Sequence, residues 1–142
     1  MTTHRALGTV TRQLKPRIAL AAQDHEKLSV LARAAASTMP DVAAVLAEEL
    51  DRAHVLVKGR YPEHTVCMGY EVEFRDDTTG KVQTVTLVYP DEADISKGKI
   101  SVLTPIGTAL IGLRAGHSIT WETRTGDLRR LTVLQVREPQ LA

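Results

Sequence analysis

A single cysteine, Cys67, stands in the 142 residues of this chain, so no internal disulfide can form. Soft ligands are too few for a tetrahedral structural metal centre, and a reducing, cytoplasmic setting is expected. Aromatic residues make up only 4% of the chain: one Phe, one Trp and three Tyr. So few rings give little from which to build a stacking platform for single-stranded nucleic acid. Long apolar runs are missing too. The longest, Val42 to Leu46 with its flanking alanines, falls far short of the ~20 residues of a membrane span, and no membrane partner is expected. Neither sign of charge dominates, since 18 Lys and Arg face 17 Asp and Glu for a formal net charge of +1. That balance argues against a wholly basic nucleic-acid coat. With 43% hydrophobic residues the chain can bury one modest core, which excludes a disordered tail protein.

Three zones follow along the chain. Residues 1–16 read as a flexible basic arm ending at Pro16. Arg5, Arg12, Lys15 and Arg17 precede the first acid, Asp24. Ile18 to Ala22 is too short for the apolar stretch of a secretory signal. The arm leaves contact with nucleic-acid phosphates open, although its spacing carries no pattern for it. Residues 17–54 read as a short strand and two helices. Asp24 suits an N-cap for the first helix, with Leu28, Leu31 and Ala35 as its buried stripe. Ser37 to Asp41 breaks the period. Pro40 fits the first turn of a second helix, and Asp41 favours its positive end. Val42, Val45, Leu46, Leu50 and Ala53 then share one face, with Glu48, Glu49, Asp51 and Arg52 in water. A short helical hairpin results.

From about Thr65 the period drops to two, and residues 55–142 form the third zone. Tyr70, Val72 and Phe74 alternate with Glu71, Glu73 and Arg75. Asp76 to Gly80 is a turn. The next run, 82–89, has Val85 and Leu87 as signs of a central strand, and Pro90 ends it. Ile100 to Leu103 is a short strand, and 105–113 a short helix. Ser118 to Thr123 and Leu128 to Val136 make a hairpin around Gly126. The fold class is α+β, an antiparallel sheet with one short helix behind a helical hairpin.

No assembled active site emerges. Asp91-Glu92-Ala93-Asp94 spells the helicase magnesium motif, but the chain has no phosphate-cradling Gly-rich loop with a lysine. An acidic turn after Pro90 accounts for it. His4, His25, His54, His64 and His117 are scattered, Cys67 reads as core beside Met68 in a strand, and Ser101 lacks the glycines of a nucleophile elbow. Neither a cofactor nor a metal is expected.

The run from Tyr89 to Leu113 contains Glu92-Ala93-Asp94, Ile100-Ser101-Val102 and Thr104-Pro105-Ile106-Gly107-Thr108-Ala109-Leu110-Ile111-Gly112. In this order and spacing it resembles the C-terminal domain of Gre-type transcript-cleavage factors. Glu49 to Ala53, Thr86 to Pro90 and Gly116 to Trp121 resemble the family's Rnk-type members, regulators of nucleoside diphosphate kinase by name. The likeness covers about residues 18–137. It implies an FKBP-like C-terminal domain behind an N-terminal antiparallel coiled coil. It also implies docking at the rim of the RNA polymerase secondary channel, against a coiled coil of the largest subunit. The family's contact loop matches Leu103, Thr104 and Pro105, with Ser101 and Ile106 adjacent. A proline-ordered turn there would present backbone N–H groups and a rigid apolar knob.

Cleavage factors place paired acids for a catalytic magnesium at the tip of a long coiled coil. Here each helix is about 13 residues, roughly 20 Å at 1.5 Å per residue. The tip, Thr38, Met39 and Asp41, holds one acid. Docking is therefore expected without cleavage, in competition with Gre factors. The family name adds an effect on nucleoside diphosphate kinase level, direct or through transcription. Prolyl isomerisation, which the FKBP-like fold brings to mind, wants an aromatic pocket that the few rings here disfavour.

Overall fold

In a computed structural model, residues 17–123 and 125–139 are described. The expected arm, 1–16, lies outside them. Strand β1 (Ala19–Leu20) leads into helix α1 (Ala22–Ala35), helix α2 (Pro40–Arg52) and strand β2 (His54–Val55). Pro40 opens α2 as its fixed φ predicts. The His54 N–H donates to the Ile18 carbonyl and the Leu56 N–H to the Leu20 carbonyl, so β1 and β2 pair in parallel. This clasp joins the two ends of the hairpin at one base, and His25 Nε2 meets the Leu50 carbonyl there at 3.1 Å.

Two details of the hairpin differ from the sequence reading. Asp24 is not an N-cap. The helix begins two residues earlier, after Ala21, and Asp24 sits within the first turn, only 7% exposed. The buried face of α2 is also rotated, with Ala43, Leu46, Glu49 and Leu50 inside. Val45 points out, 48% exposed, while Glu49 is 8% exposed and pairs with Arg52 at 2.9 Å. Ala32 and Ala35 of α1 and Ala43 of α2 are buried together with Leu28, Leu46 and Leu50.

Beyond the hairpin lie β3 (Glu71–Asp76), β4 (Val82–Val88), β5 (Lys99–Ser101), β6 (Ser118–Glu122) and β7 (Leu128–Arg137). They form one sheet in the order β5-β4-β3-β7-β6. It is mostly antiparallel, but β4 and β5 run parallel, which makes the sheet mixed. The 3-10 turns at Pro90–Glu92 and Ile95–Lys97 carry the chain back to Thr86, so β5 enters in the same direction beside the last three residues of β4. The acidic turn after Pro90 is the first of these. Helix α3 (Pro105–Leu110) is shorter than the expected 105–113. Cys67 and Met68 belong to the loop before β3, not to a strand, although Cys67 is fully buried as expected. Burial, and then the nearby Asp24 charge, push its thiol up to about 12.

Asp76 and Asp77 fasten the β3–β4 turn to β7. Asp76 accepts the Thr78 N–H at 2.8 Å and pairs with Arg129, while Asp77 accepts the Thr132 hydroxyl and pairs with Arg75. Burial would raise Asp76, but the Thr78 and Arg129 hydrogen bonds outweigh it and hold its carboxyl below the usual range. Hydrogen bonds from Thr132 and Arg75 do the same for Asp77. One buried apolar cluster runs from Leu28 and Leu46 of the hairpin to Phe74, Leu110 and Leu131. The hairpin is thus packed on the sheet side of the molecule through a shared core, with α2 touching α3.

Candidate functional site

The segment from β5 into α3 is knitted by its own side chains. Ser101 Oγ accepts the Leu103 N–H at 3.0 Å, and the Thr104 hydroxyl donates to the Ser101 carbonyl at 2.8 Å. Thr104 is the N-cap of α3, its Oγ1 accepting the Gly107 N–H at 3.0 Å while its carbonyl accepts the Thr108 N–H. Pro105 follows at the first helical position, where its missing N–H leaves nothing unmet. Buried Thr108 donates to the Val102 carbonyl at 2.9 Å, and the Val102 N–H reaches Val88 on β4. Thus the hydroxyls of Ser101, Thr104 and Thr108 all bond to the backbone of the loop itself.

Gly107 permits this closeness. A Cβ there would meet the Ser101 carbonyl oxygen at 2.4 Å and both Thr104 Oγ1 and the Val102 Cα at 2.9 Å. No side chain fits. In the sequence Gly107 stands in the middle of the Thr104–Gly112 motif, where its role is not evident from the motif alone. The signal was available: glycine inside a helix costs about 1 kcal/mol against alanine, so its presence there points to a close approach.

Of the five residues expected at this site, four reach the surface. Ser101, Thr104, Pro105 and Ile106 are half-buried, whereas Leu103 is 6% exposed and belongs to the core. Leu103 therefore supports the loop from beneath, because the turn that Ser101 caps directs its side chain inward. The expected display of backbone N–H groups also changes, since Thr104 takes up those of Gly107 and Thr108. What the loop offers is a rigid, mainly apolar knob of Pro105 and Ile106.

The hairpin tip brings Thr38, Met39 and Asp41 together. The Thr38 and Met39 N–H groups close α1 on the Ala35 carbonyl, and the Met39 carbonyl receives the Ala43 N–H of α2. All three residues are exposed. With α1 of 14 residues and α2 of 13, the tip stands about 20 Å from the clasped base. Asp41 is the one acid between Ala36 and Ala47. Among the described residues, no three His, Cys, Asp or Glu side chains are grouped as metal ligands. No helix among them is long and apolar enough to cross a membrane.

The hairpin is oriented on the sheet by contacts at the start of α1. Asp24 accepts the Met68 N–H at 3.4 Å, and Lys27 lies 5.7 Å over the Tyr89 ring at the end of β4. Burial raises the Asp24 pKa, with the Met68 N–H and the Lys27 charge opposing it. The Tyr89 hydroxyl is buried without a hydrogen-bond partner among the described residues, and burial and then Asp24 push its pKa up. Gly112 closes the other side, at φ +80°, where a Cβ would meet the Ile18 Cβ at 2.5 Å.

Comparison with known proteins follows the same division. A model of the C-terminal region of the transcription elongation factors GreA and GreB matches residues 61–138, and one of the Rnk N-terminus matches residues 16–56. The chain is similar to the regulator of nucleoside diphosphate kinase of Escherichia coli K12, 36% identical over 129 residues, 90% of this chain and 95% of that protein. It is also similar to transcription elongation factor GreA of Thermodesulfovibrio yellowstonii, 39% identical over 75 residues, but that match spans only 48% of the factor. Among solved structures, a transcription elongation factor GreA/GreB from Nitrosomonas europaea superposes with a TM-score of 0.68. It is 35% identical and covers 87% of this chain and 99% of its own.

Proposed function

This chain belongs to the GreA/GreB family, in its Rnk branch, and we propose on that premise that it docks on RNA polymerase and regulates transcription without cleaving transcripts. In this reading residues 55–142 are the docking domain and residues 17–54 a hairpin held at the rim of the secondary channel. The observation that carries docking is the loop itself. Pro105 and Ile106 stand on a framework fixed by Thr104 and Gly107, so little conformational freedom is lost on binding. The coiled coil of the polymerase largest subunit is the surface it meets, in the cytoplasm. Absence of cleavage is supported by the hairpin, whose reach is about 20 Å and whose tip holds Asp41 without a second acid. One carboxylate makes a poor magnesium site. The relatives bear the names of regulators and transcription factors, which supports a role outside catalysis.

Retention on immobilised core polymerase tests docking. Wild-type chain is retained, and Pro105→Asp is released. An acid suits the first turn of a helix, so this substitution charges the contact while keeping the fold. Failure of the wild type to bind ends the proposal. A second reading takes the name of the Escherichia coli relative, regulation of nucleoside diphosphate kinase level. Under docking, that effect arises through altered transcription, and the Pro105→Asp variant loses it together with polymerase. Retention of the kinase effect by that variant favours direct contact with the kinase.

A further inference from the structure

We propose that residues 6–15 pack as a third helix in a groove on the outer side of the hairpin, with Leu7, Val10 and Leu14 as the buried side chains. Their place there is independent of the docking reading above. The groove holds about 380 Å³ between α1 and α2, and Ala32, Ala36, Ala43, Ala44, Ala47 and Leu50 line it. It opens away from the sheet, because Lys27, which lies over Tyr89, is about half a turn round α1 from groove-lining Ser29. Surface alanines are good helix formers and need no partner by themselves. The occupant is indicated by where the preceding chain ends and by how its apolar residues are spaced.

Residues 1–16 lie outside the described residues, and the description begins at Arg17. The His54 N–H donates to the Ile18 carbonyl at 2.8 Å, which sets Arg17 beside the end of α2. Leu50 and Asp51, at the lower end of the groove, stand three to four residues before His54. The preceding chain is therefore joined at the mouth of the groove. Within it, Leu7, Val10 and Leu14 recur at steps of three and four, one stripe of a helix, and Arg5 and Arg12 fall on the opposite side. Pro16 suits the stop, since the residue before a proline is pushed out of helical backbone. Gly8 lowers the segment's own helical tendency, so packing rather than propensity holds it. From Leu7 to Leu14 the stripe spans about 10 Å, and the groove from Pro40 to Leu50 of α2 about 15 Å, at 1.5 Å per residue. Alanine walls leave room between the two helices for leucine and valine side chains.

Charge does not choose among occupants, since the walls carry one base, Arg33, and one acid, Asp51. Tethering does. A segment joined at the mouth of the groove is present there at an effective concentration on the order of millimolar, above that of a second copy free in dilute solution. A stable dimer also buries about 1,200 Å² or more, beyond what one short groove supplies.

The test uses the full chain with Val10→Cys paired with Ala44→Cys or with Ala47→Cys, and with Val45→Cys as the control pair. Val45 is 48% exposed and does not line the groove, and the native Cys67 is fully buried, so its thiol does not compete. In dilute protein with a mild oxidant, a disulfide within one chain forms at least about tenfold faster with Ala44→Cys or Ala47→Cys than with Val45→Cys. Equal rates overturn the proposal. Disulfides that form only between chains assign the groove to a second copy and likewise overturn it. Thermal unfolding supplies a second readout. Leu7→Ser, Val10→Ser and Leu14→Ser together lower Tm by about 3 °C or more, whereas Arg5→Ser with Arg12→Ser leaves it unchanged. An unchanged Tm in the triple variant, or an equal fall in the arginine pair, overturns the proposal as well.

Discussion

Replacing Gly107 with alanine sets two effects of opposite sign against each other. Gly107 is the third residue of α3, and alanine in a helix interior is favoured over glycine by about 1 kcal/mol. The added methyl group would lie 2.4 Å from the Ser101 carbonyl oxygen, where contacts shorter than 3.0 Å essentially do not occur. The helix must therefore shift by about 0.6 Å, the difference between those distances. Two of the three atoms it meets are backbone, so no flexible side-chain end can swing aside. Overpacking of this kind costs about 1–3 kcal/mol. The shift also stretches the Thr104 cap, worth about 1 kcal/mol. It strains the buried Thr108 hydrogen bond to Val102 as well, whose loss would cost about 1–3 kcal/mol. Packing wins, with a net loss of about 2–3 kcal/mol and a fall in Tm of about 6–12 °C for a chain of this size. Thermal unfolding followed by circular dichroism reads it directly. A Gly107→Ala protein as stable as wild type, or more stable, would refute the argument.

Three further outcomes follow from the same geometry. Thr104→Ala removes the α3 cap and lowers stability by about 1 kcal/mol, whereas Thr104→Ser keeps the hydroxyl and most of the stability; equal losses in urea unfolding would contradict the capping role. Gly112→Ala loses stability on two counts, a φ of +80° and a Cβ 2.5 Å from Ile18, and faster amide exchange at His54, which donates to Ile18, marks the loosened clasp. Asp24→Asn raises Tm at neutral pH. Because burial raises the folded pKa of Asp24, its contribution is full below the ordinary aspartate value of about 3.9 and is lost as pH rises through the folded pKa. Asp76 and Asp77, with lowered pKa values, act in the opposite direction in both proteins. The stability difference between Asp24→Asn and wild type therefore isolates Asp24. It should widen as pH rises from 4 to 7, and a constant difference would contradict the buried-carboxylate account.

The elements most legible in the sequence were those whose signal is local. Leu28 and Leu46 fall on helical steps, Val72 and Phe74 on strand steps, and Asp76 to Gly80 carries its own turn chemistry; all stand where expected. What escaped depends on partners distant in the chain. The parallel entry of β5 beside β4 is fixed by the two 3-10 turns between them, not by any pattern within Lys99–Ser101. Asp24 reads as a cap because aspartate before an apolar stripe usually is one. Its burial follows from Met68, 44 residues on. Glu49 and Val45 exchanged places because helical spacing leaves a buried stripe about one residue of slack, which only packing against the rest of the chain decides. The docking loop was legible as a motif. The inward turn of Leu103 and the role of Gly107 required the hydrogen bonds around Ser101 and Thr104.

The central claim is docking without cleavage. Its most direct measurement adds this chain to arrested transcription complexes in the presence of limiting GreA and follows transcript cleavage on a gel. Increasing amounts of this chain should suppress GreA-dependent cleavage, should produce no cleavage alone, and should lose the suppression with Pro105→Asp. Cleavage by this chain alone, or undiminished GreA cleavage at saturating chain, would contradict the account.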